Sequence, residues 1–238
     1  MEESKVEKKP TAIAFDSNLL SYLSVVSEII DNDLTLDPEK TNPYVYQNYK
    51  RLATIYNAIN NGDILPIVTK TVYCETLNIS KIQRFIKIFC KSPVYDTMAQ
   101  SISAEHKIKS LAVKYTEPYV DDKGRKRSAP FEKLYDAETD NFRIPNDAYN
   151  MAEATVAGVL FATANSKHFI KAKKSDVNDI AYGIMNINVD NGYNQDGEYG
   201  IPRPIGVYDL AKFCTSAEGV KGPEPTVRLA ETIDISME

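Results

Sequence analysis

The chain has 238 residues, of which 43% are hydrophobic and 26% charged, and its formal net charge is −5. This balance is typical of a globular protein, and the length suits one domain with insertions. No apolar run approaches the ~20 residues that a membrane-spanning helix needs, and the first residues lack the apolar core of a secretory signal. The sequence therefore predicts a cytoplasmic protein without membrane contact.

The three cysteines are far apart and only two histidines are present, so the spacing of a Cys/His zinc site is missing. The negative net charge argues against a surface that binds nucleic acid over its whole extent. It leaves room for local basic patches, and a cluster of carboxylates that holds a metal would itself contribute negative charge.

The first half of the chain alternates short apolar runs with amphipathic segments. Residues 1–10 are predicted to form a flexible polar arm. A buried strand follows over Thr11–Phe15, and a second over residues 64–68, where Pro66 suggests a position near a sheet edge. Helices are predicted from residue 16 or 17 onward, over residues 44–60, from residue 69, over 81–90 and over 98–115.

The second half contains fewer clear elements. Residues 122–124 are typical of a turn, Asn146–Ala157 is strongly helical, and residues 159–162 and 204–208 are predicted strands. A short helix is expected over residues 209–213, and residues 215–238 are predicted to be a poorly ordered tail. Alternating strands and helices predict a parallel sheet covered on both faces.

Carboxylates and amides follow several of the predicted strands. Asp16 directly follows the first strand, and Glu75 lies two turns into the helix after the second. Asp147 opens the helix before the third strand, which is followed by Thr163 and Asn165. Ligands bind outside the carboxyl ends of the strands in such sheets, so these positions can converge on one rim. For any one of these residues, a helix cap is the ordinary structural interpretation.

Five segments carry a resemblance to a known family. They are Phe15–Leu23 (FDSNLLSYL), Tyr73–Leu77 (YCETL), Ile144–Ala154 (IPNDAYNMAEA), Leu160–Phe169 (LFATANSKHF) and Pro204–Tyr208 (PIGVY). Together they resemble PIN-domain nucleases, and most closely the virulence-associated protein C-like ribonucleases, the toxins of bacterial toxin–antitoxin pairs. The resemblance spans residues 11–214, with insertions near 30–45, 115–143 and 175–200.

The resemblance implies a PIN-like three-layer α/β/α sandwich with a mostly parallel central sheet, and a metal-dependent endoribonuclease that hydrolyses RNA phosphodiester bonds. Mg²⁺ or Mn²⁺, which prefer hard oxygen ligands, would be the cofactor. The residues at the family's catalytic positions are Asp16, Glu75, Asp147 and Asn165, of which the three acids would bind the metal. Ser17, Asn18 and Thr163 would support them.

Asn165 is an amide where the family more often has an acid, so three carboxylates rather than four are expected. Two alternatives therefore stay open: a PIN-like module without catalysis that binds RNA or protein, and a nuclease that cuts DNA. The expected partners are an RNA substrate, an antitoxin protein and a second copy of the chain.

Two other groups of charged residues are given less weight. The basic run Lys123, Arg125, Lys126 and Arg127 could contact an RNA backbone. Asp121 and Asp122 precede it, and a solvated hairpin tip is the simpler interpretation. Glu153, six residues after Asp147, is predicted to be a charge on the helix surface.

Overall fold

A computed structural model describes residues 9–120, 124–165, 205–215, 222 and 224–232. Its largest sheet has six strands: β1 Thr11–Phe15, β2 Ile64–Ile67, β3 Lys91–Val94, β8 Leu160–Thr163, β9 Ile205–Gly206 and β10 Arg228–Glu231. Their order is β10-β3-β2-β1-β8-β9. All neighbouring pairs are parallel except β10 with β3. The predicted α/β class with a mostly parallel sheet is confirmed.

Seven helices accompany the sheet in the described residues: α1 Ser17–Asp31, α2 Pro43–Asn60, α3 Lys70–Thr76, α4 Ser80–Phe89, α5 Met98–Lys114, α6 Asn146–Ala157 and α7 Val207–Cys214. Two small hairpins, β4 Tyr119–Val120 with β5 Lys126–Arg127 and β6 Leu134–Asp136 with β7 Asn141–Arg143, occupy the predicted insertion near 115–143. No described helix is both long and apolar enough to cross a membrane.

The central strand β1 is buried on both faces and separates two hydrophobic clusters. Its large side chains, Ile13 and Phe15, pack with residues of α1, α2, α4 and α7. Its small side chains, Ala12 and Ala14, pack with residues of α5 and α6. The alanines leave room for α6, whose own inward surface is rich in alanine, to lie close to the sheet.

Two predictions about the sheet were wrong. Pro66 lies in an interior strand, because β2 runs between β1 and β3. The register of β2 with β3 includes only Ile67 and Lys91, so the missing N–H of Pro66 breaks no bond of that pairing. The region predicted to be a disordered tail supplies β10, which pairs antiparallel with β3.

The segment before β10 packs against the end of α6. The backbone N–H of Thr226 donates to the carbonyl of Ala157, and its hydroxyl donates to that of Val156. Gly158 ends α6 in the left-handed conformation, with φ of 70°, as glycine commonly does at this position. The first eight residues of the predicted arm, the predicted insertion near 175–200 and residues 216–221 of the predicted tail lie outside the described residues.

Candidate functional site

Three polar residues lie at the carboxyl ends of neighbouring parallel strands. The residues two positions before them all belong to the cluster on the α6 side of the sheet: Ala14, Ile67 and Phe161. Side chains alternate between the two faces of a strand. Asp16, Thr69 and Thr163 therefore face the same side, towards α6.

Asp16 is buried, with 1% of its surface exposed, and both of its carboxylate oxygens are occupied. Oδ1 accepts a hydrogen bond from the backbone N–H of Leu19 (2.7 Å), so the residue caps α1. Oδ2 accepts from the hydroxyl of Thr163, which in turn accepts from the backbone N–H of Asn165 (2.9 Å). The last residue of β8 and the turn that follows it thus hold the carboxylate of Asp16 in one orientation.

The pKa of Asp16 depends on the charges of the other two predicted acids. Burial raises the pKa of Asp16 to about 7, although the hydrogen bonds from Thr163 and Leu19 act in the opposite direction. The negative charges of Asp147 and Glu75 raise this pKa further. Residues from three separate elements therefore interact through their charges at this edge of the sheet.

Glu75 and Asp147 reach this edge from α3 and α6. The side-chain amide of Asn146 donates to Oε1 of Glu75 (2.7 Å), which links the two helices. Glu75 is exposed, whereas Asp147, in the first turn of α6, is half-buried. Of the other residues predicted here, Ser17 and Asn165 are half-buried, and Asn18 is exposed.

The donor chemistry suits a hard divalent cation, because buried and neighbouring carboxylates repel one another until a positive charge lies among them. The acids are not preassembled as ligands. Within the part of the chain that the structure describes, no three His, Cys, Asp or Glu side chains are grouped so as to hold a metal ion. Glu75 is the most adjustable of the three, since both it and its partner Asn146 are exposed.

Glu153 is not the surface charge that the sequence predicted. Only 9% of its surface is exposed, and its carboxylate accepts hydrogen bonds from the hydroxyl (2.7 Å) and backbone N–H (3.2 Å) of Thr71. Burial raises the pKa of Glu153, and the hydrogen bonds from Thr71 and Thr69 lower it. Because Thr71 lies in the first turn of α3, Glu153 fixes the start of the helix that carries Glu75.

Asn150 lies between Asp147 and Glu153 on α6 and is 1% exposed. Its Oδ1 accepts a hydrogen bond from the hydroxyl of Thr69 (3.3 Å). Its side-chain amide nitrogen is buried and has no hydrogen-bond partner among the described residues. The spacing of three residues between Asp147, Asn150 and Glu153 is the signal that could have identified this polar stripe from the sequence.

Asp209 is a further acid that the sequence analysis missed. It is 6% exposed and lies in the first turn of α7, which directly follows β9 at the same edge of the sheet. Burial raises the pKa of Asp209 to about 6, and Lys212 lowers it. An acid shortly after a short strand is the pattern that also identified Asp16.

The predicted basic run lies on a separate hairpin. Arg125 and Lys126 are exposed, Arg127 belongs to β5, and Lys123 lies outside the described residues. The β4–β5 hairpin forms its own two-stranded sheet. Its role in binding nucleic acid stays a prediction.

The chain was compared with models of protein families, with curated proteins and with solved structures, and none of them matched. The PIN-like assignment therefore depends on the five sequence segments and on the convergence of acids at the carboxyl edge of a mostly parallel sheet.

Proposed function

We propose that this protein is a divalent-metal-dependent phosphodiester hydrolase that cuts RNA. The observation that carries the proposal is the buried carboxyl of Asp16 at the carboxyl end of β1, bonded to Thr163 at the end of β8, with Glu75 and Asp147 near enough for their charges to raise its pKa. If Asp16 served only to cap α1, the nearby negative charges of Glu75 and Asp147 would bring no benefit, because they disfavour its ionised form. Such an arrangement is typical of sites in which a cation completes the charge balance.

Mg²⁺ or Mn²⁺ would be held by Asp16, Asp147 and Glu75. A bound ion of this kind lowers the pKa of a coordinated water and offsets charge on the phosphate and on the leaving oxygen. The neutral amide of Asn165 adds no charge to this set.

The remaining residues hold these ligands in place. Thr163 and the backbone N–H of Leu19 fix the two oxygens of Asp16, so the carboxylate needs little reordering when a ligand arrives. Glu153 holds the start of α3 in place through Thr71 and thereby helps to position Glu75, which lies further along the same helix. The unpartnered amide of Asn150 supplies a buried donor beside this network.

The positive ends of two helices also favour an anionic substrate here. α1 begins directly after β1, and Asp147 lies in the first turn of α6, so the N-terminal ends of both helices lie near the carboxylates. A phosphate that approaches the acids therefore meets partial positive charge from the backbone. The site thus combines ligands for a cation with groups that favour a phosphodiester.

The test uses purified protein and a labelled RNA, with Mn²⁺ or with a chelator. We expect cleavage with Mn²⁺, none with the chelator and none in Asp147→Asn. Asp33→Asn is the matched control: Asp33 is exposed, has a φ of 49°, and asparagine tolerates that conformation. Calorimetric titration of Mn²⁺ into the wild type and Asp16→Asn should show binding only in the wild type.

Retained cleavage by Asp147→Asn would show that the site is assigned wrongly. A second candidate function, a PIN-like module that binds RNA or protein without cutting, is favoured by the amide of Asn165 and by the absence of preassembled ligands in the described residues. It predicts that neither the wild type nor Asp16→Asn binds Mn²⁺, that no RNA is cleaved, and that RNA binding is unchanged by the chelator.

A further inference from the structure

Two tyrosines from different helices stack beside the candidate site. The ring centroids of Tyr22 and Tyr44 are 4.5 Å apart, with an angle of 23° between their planes. Tyr22 lies on α1, six residues after Asp16, and Tyr44 lies in the first turn of α2. Both side chains are half-buried, so the stack belongs partly to the core and partly to the surface.

An arginine and a third tyrosine form a second pair. The guanidinium carbon of Arg51, on α2, lies 3.6 Å from the ring centroid of Tyr208. Tyr208 is in the first turn of α7, and it remains 51% exposed despite this contact. Among the described residues, Arg51 forms a hydrogen bond with Asn48 (3.4 Å) and no salt bridge, so no described carboxylate neutralises its charge.

The two pairs lie on helices that pack together, because α2 contacts both α1 and α7. Burial raises the pKa of Tyr44 to about 12, and the charges of Tyr22, Tyr208 and Asp16 add to the rise, while Arg51 opposes it. α1 and α7 begin immediately after parallel strands, so their first turns lie at the carboxyl edge. Tyr208 and Tyr44 lie in the first turns of their helices and Tyr22 lies in the second turn of α1. The three rings, with Arg51 held on Tyr208, therefore lie near the carboxyl edge that carries Asp16, on the α1 and α2 side of the sheet.

We propose that these four residues, the aromatic wall, form the subsite that holds an unpaired nucleotide of RNA next to Asp16. A base would stack on the exposed surface of Tyr208, and Arg51 would bind the adjoining phosphate. The inference rests on the proposed function, because it assumes that RNA is the substrate bound at this edge of the sheet. It adds which part of the RNA the aromatic wall binds. Tyr22 and Tyr44 act as the rigid backing of this subsite.

The chemistry of the aromatic wall selects unpaired strands. Every base has a flat face that stacks on an aromatic ring, but in a duplex both faces are already covered by neighbouring bases. Arg51 lies over a ring and is in no described ion pair, so its N–H groups other than the one bonded to Asn48 are available to phosphate oxygens.

The experiment measures binding separately from cleavage. A fluorescein-labelled oligoribonucleotide of mixed sequence, either unpaired or annealed to its complement, is titrated with the full-length protein in chelator, and anisotropy is recorded at several salt concentrations. The test variants are Tyr208→Ala and Arg51→Ala. Their matched controls are Tyr46→Ala, at an exposed tyrosine on α2, and Arg84→Ala, at an exposed arginine on α4.

We expect the wild type to bind the unpaired strand more tightly than the duplex. Tyr208→Ala should raise the Kd for the unpaired strand by about 5-fold or more, the loss of one stacked base. Arg51→Ala should reduce the slope of log Kd against log salt by about 0.7, the loss of one phosphate contact to a single strand. Both control variants should bind as the wild type does.

Unchanged binding in both test variants, or equal binding of duplex and unpaired strand, would overturn the aromatic wall while leaving the proposed function intact if the wild type still cuts RNA. If Tyr208→Ala and Arg51→Ala lose binding and the wild type does not cleave RNA, the aromatic wall is supported and the proposed hydrolase function is refuted. Thermal unfolding of each variant checks that a change in Kd is not a loss of the fold. Arg51, an exposed residue, provides the test if Tyr208→Ala is unstable.

Discussion

Replacing Asp16 with asparagine should stabilise the protein, and the gain should depend on pH. The pKa of Asp16 rises from 3.8 to about 7 on folding, chiefly because the carboxyl is buried. At 1.36 kcal/mol for each pKa unit, the ionised group costs the folded state about 4 kcal/mol. Because the folded state holds the proton more tightly, this cost is absent below about pH 4, grows as the pH rises, and is complete above about pH 7.

The assay is urea unfolding of the wild type and Asp16→Asn, without metal, at about pH 4 and about pH 8. Asparagine keeps an oxygen for the N–H of Leu19 and removes the charge. We expect the two proteins to differ little at the lower pH. At the higher pH the free energy of unfolding should be greater for the variant by up to about 4 kcal/mol.

A difference that does not change with pH, or a variant that is less stable at both values, would refute this interpretation of Asp16. Thr163→Val provides a test of opposite sign. It removes a hydrogen bond that lowers the pKa of Asp16, so stability above about pH 7 should fall by about 1–3 kcal/mol. Mn²⁺ should offset the cost of ionisation in the wild type and leave Asp16→Asn unchanged.

Two further predictions concern the supports of α6. Thr71→Val removes the hydroxyl that donates to the buried carboxylate of Glu153, and urea unfolding at neutral pH should show a loss of about 1.5–3 kcal/mol, smaller in acid. Gly158→Ala would place a Cβ atom 2.7 Å from the side chain of Thr226 at a φ of 70°, so its Tm should fall clearly. Gly62→Ala, with a similar φ of 72° and nothing within 4 Å, isolates the backbone contribution and should lower the Tm less; equal losses would contradict the clash.

The sequence predicted well the elements whose signal is local. The apolar run of β1 and the proline-led start of α6 carry their own pattern, and both elements match the prediction to the residue. β3 and β10 escaped prediction because their stability comes from their partners. β3 contains Pro93 and is only half-buried, and β10 joins it from more than 130 residues along the chain, with a salt bridge of 2.8 Å between Lys91 and Glu231.

The candidate site was predictable in part for the same reason. Asp16 follows a strand and Asp147 lies in the first turn of a helix, and both positions can be recognised from the sequence alone. Glu153 was misjudged because the periodicity of a helix shows its faces but not which of them a neighbour covers. The contact of α6 with the first turn of α3 buries that face. The pairing of Arg51 with Tyr208 depends in the same way on packing between distant helices.

The burial of α6 on nearly every side has a mechanical consequence. From Ala148 to Ala157 every residue except Tyr149 is buried, and Thr226 closes the far end of the helix. A helix enclosed in this way can open to solvent only when much of the domain unfolds, so its amides should exchange with deuterium most slowly. The last turn of α3, where Glu75 lies exposed, should exchange much faster. The edge of the sheet thus has one rigid side, formed by α6, and one more mobile side, formed by the last turn of α3. When the shape of a bound ligand changes, we expect α3 to adjust and α6 to stay in place.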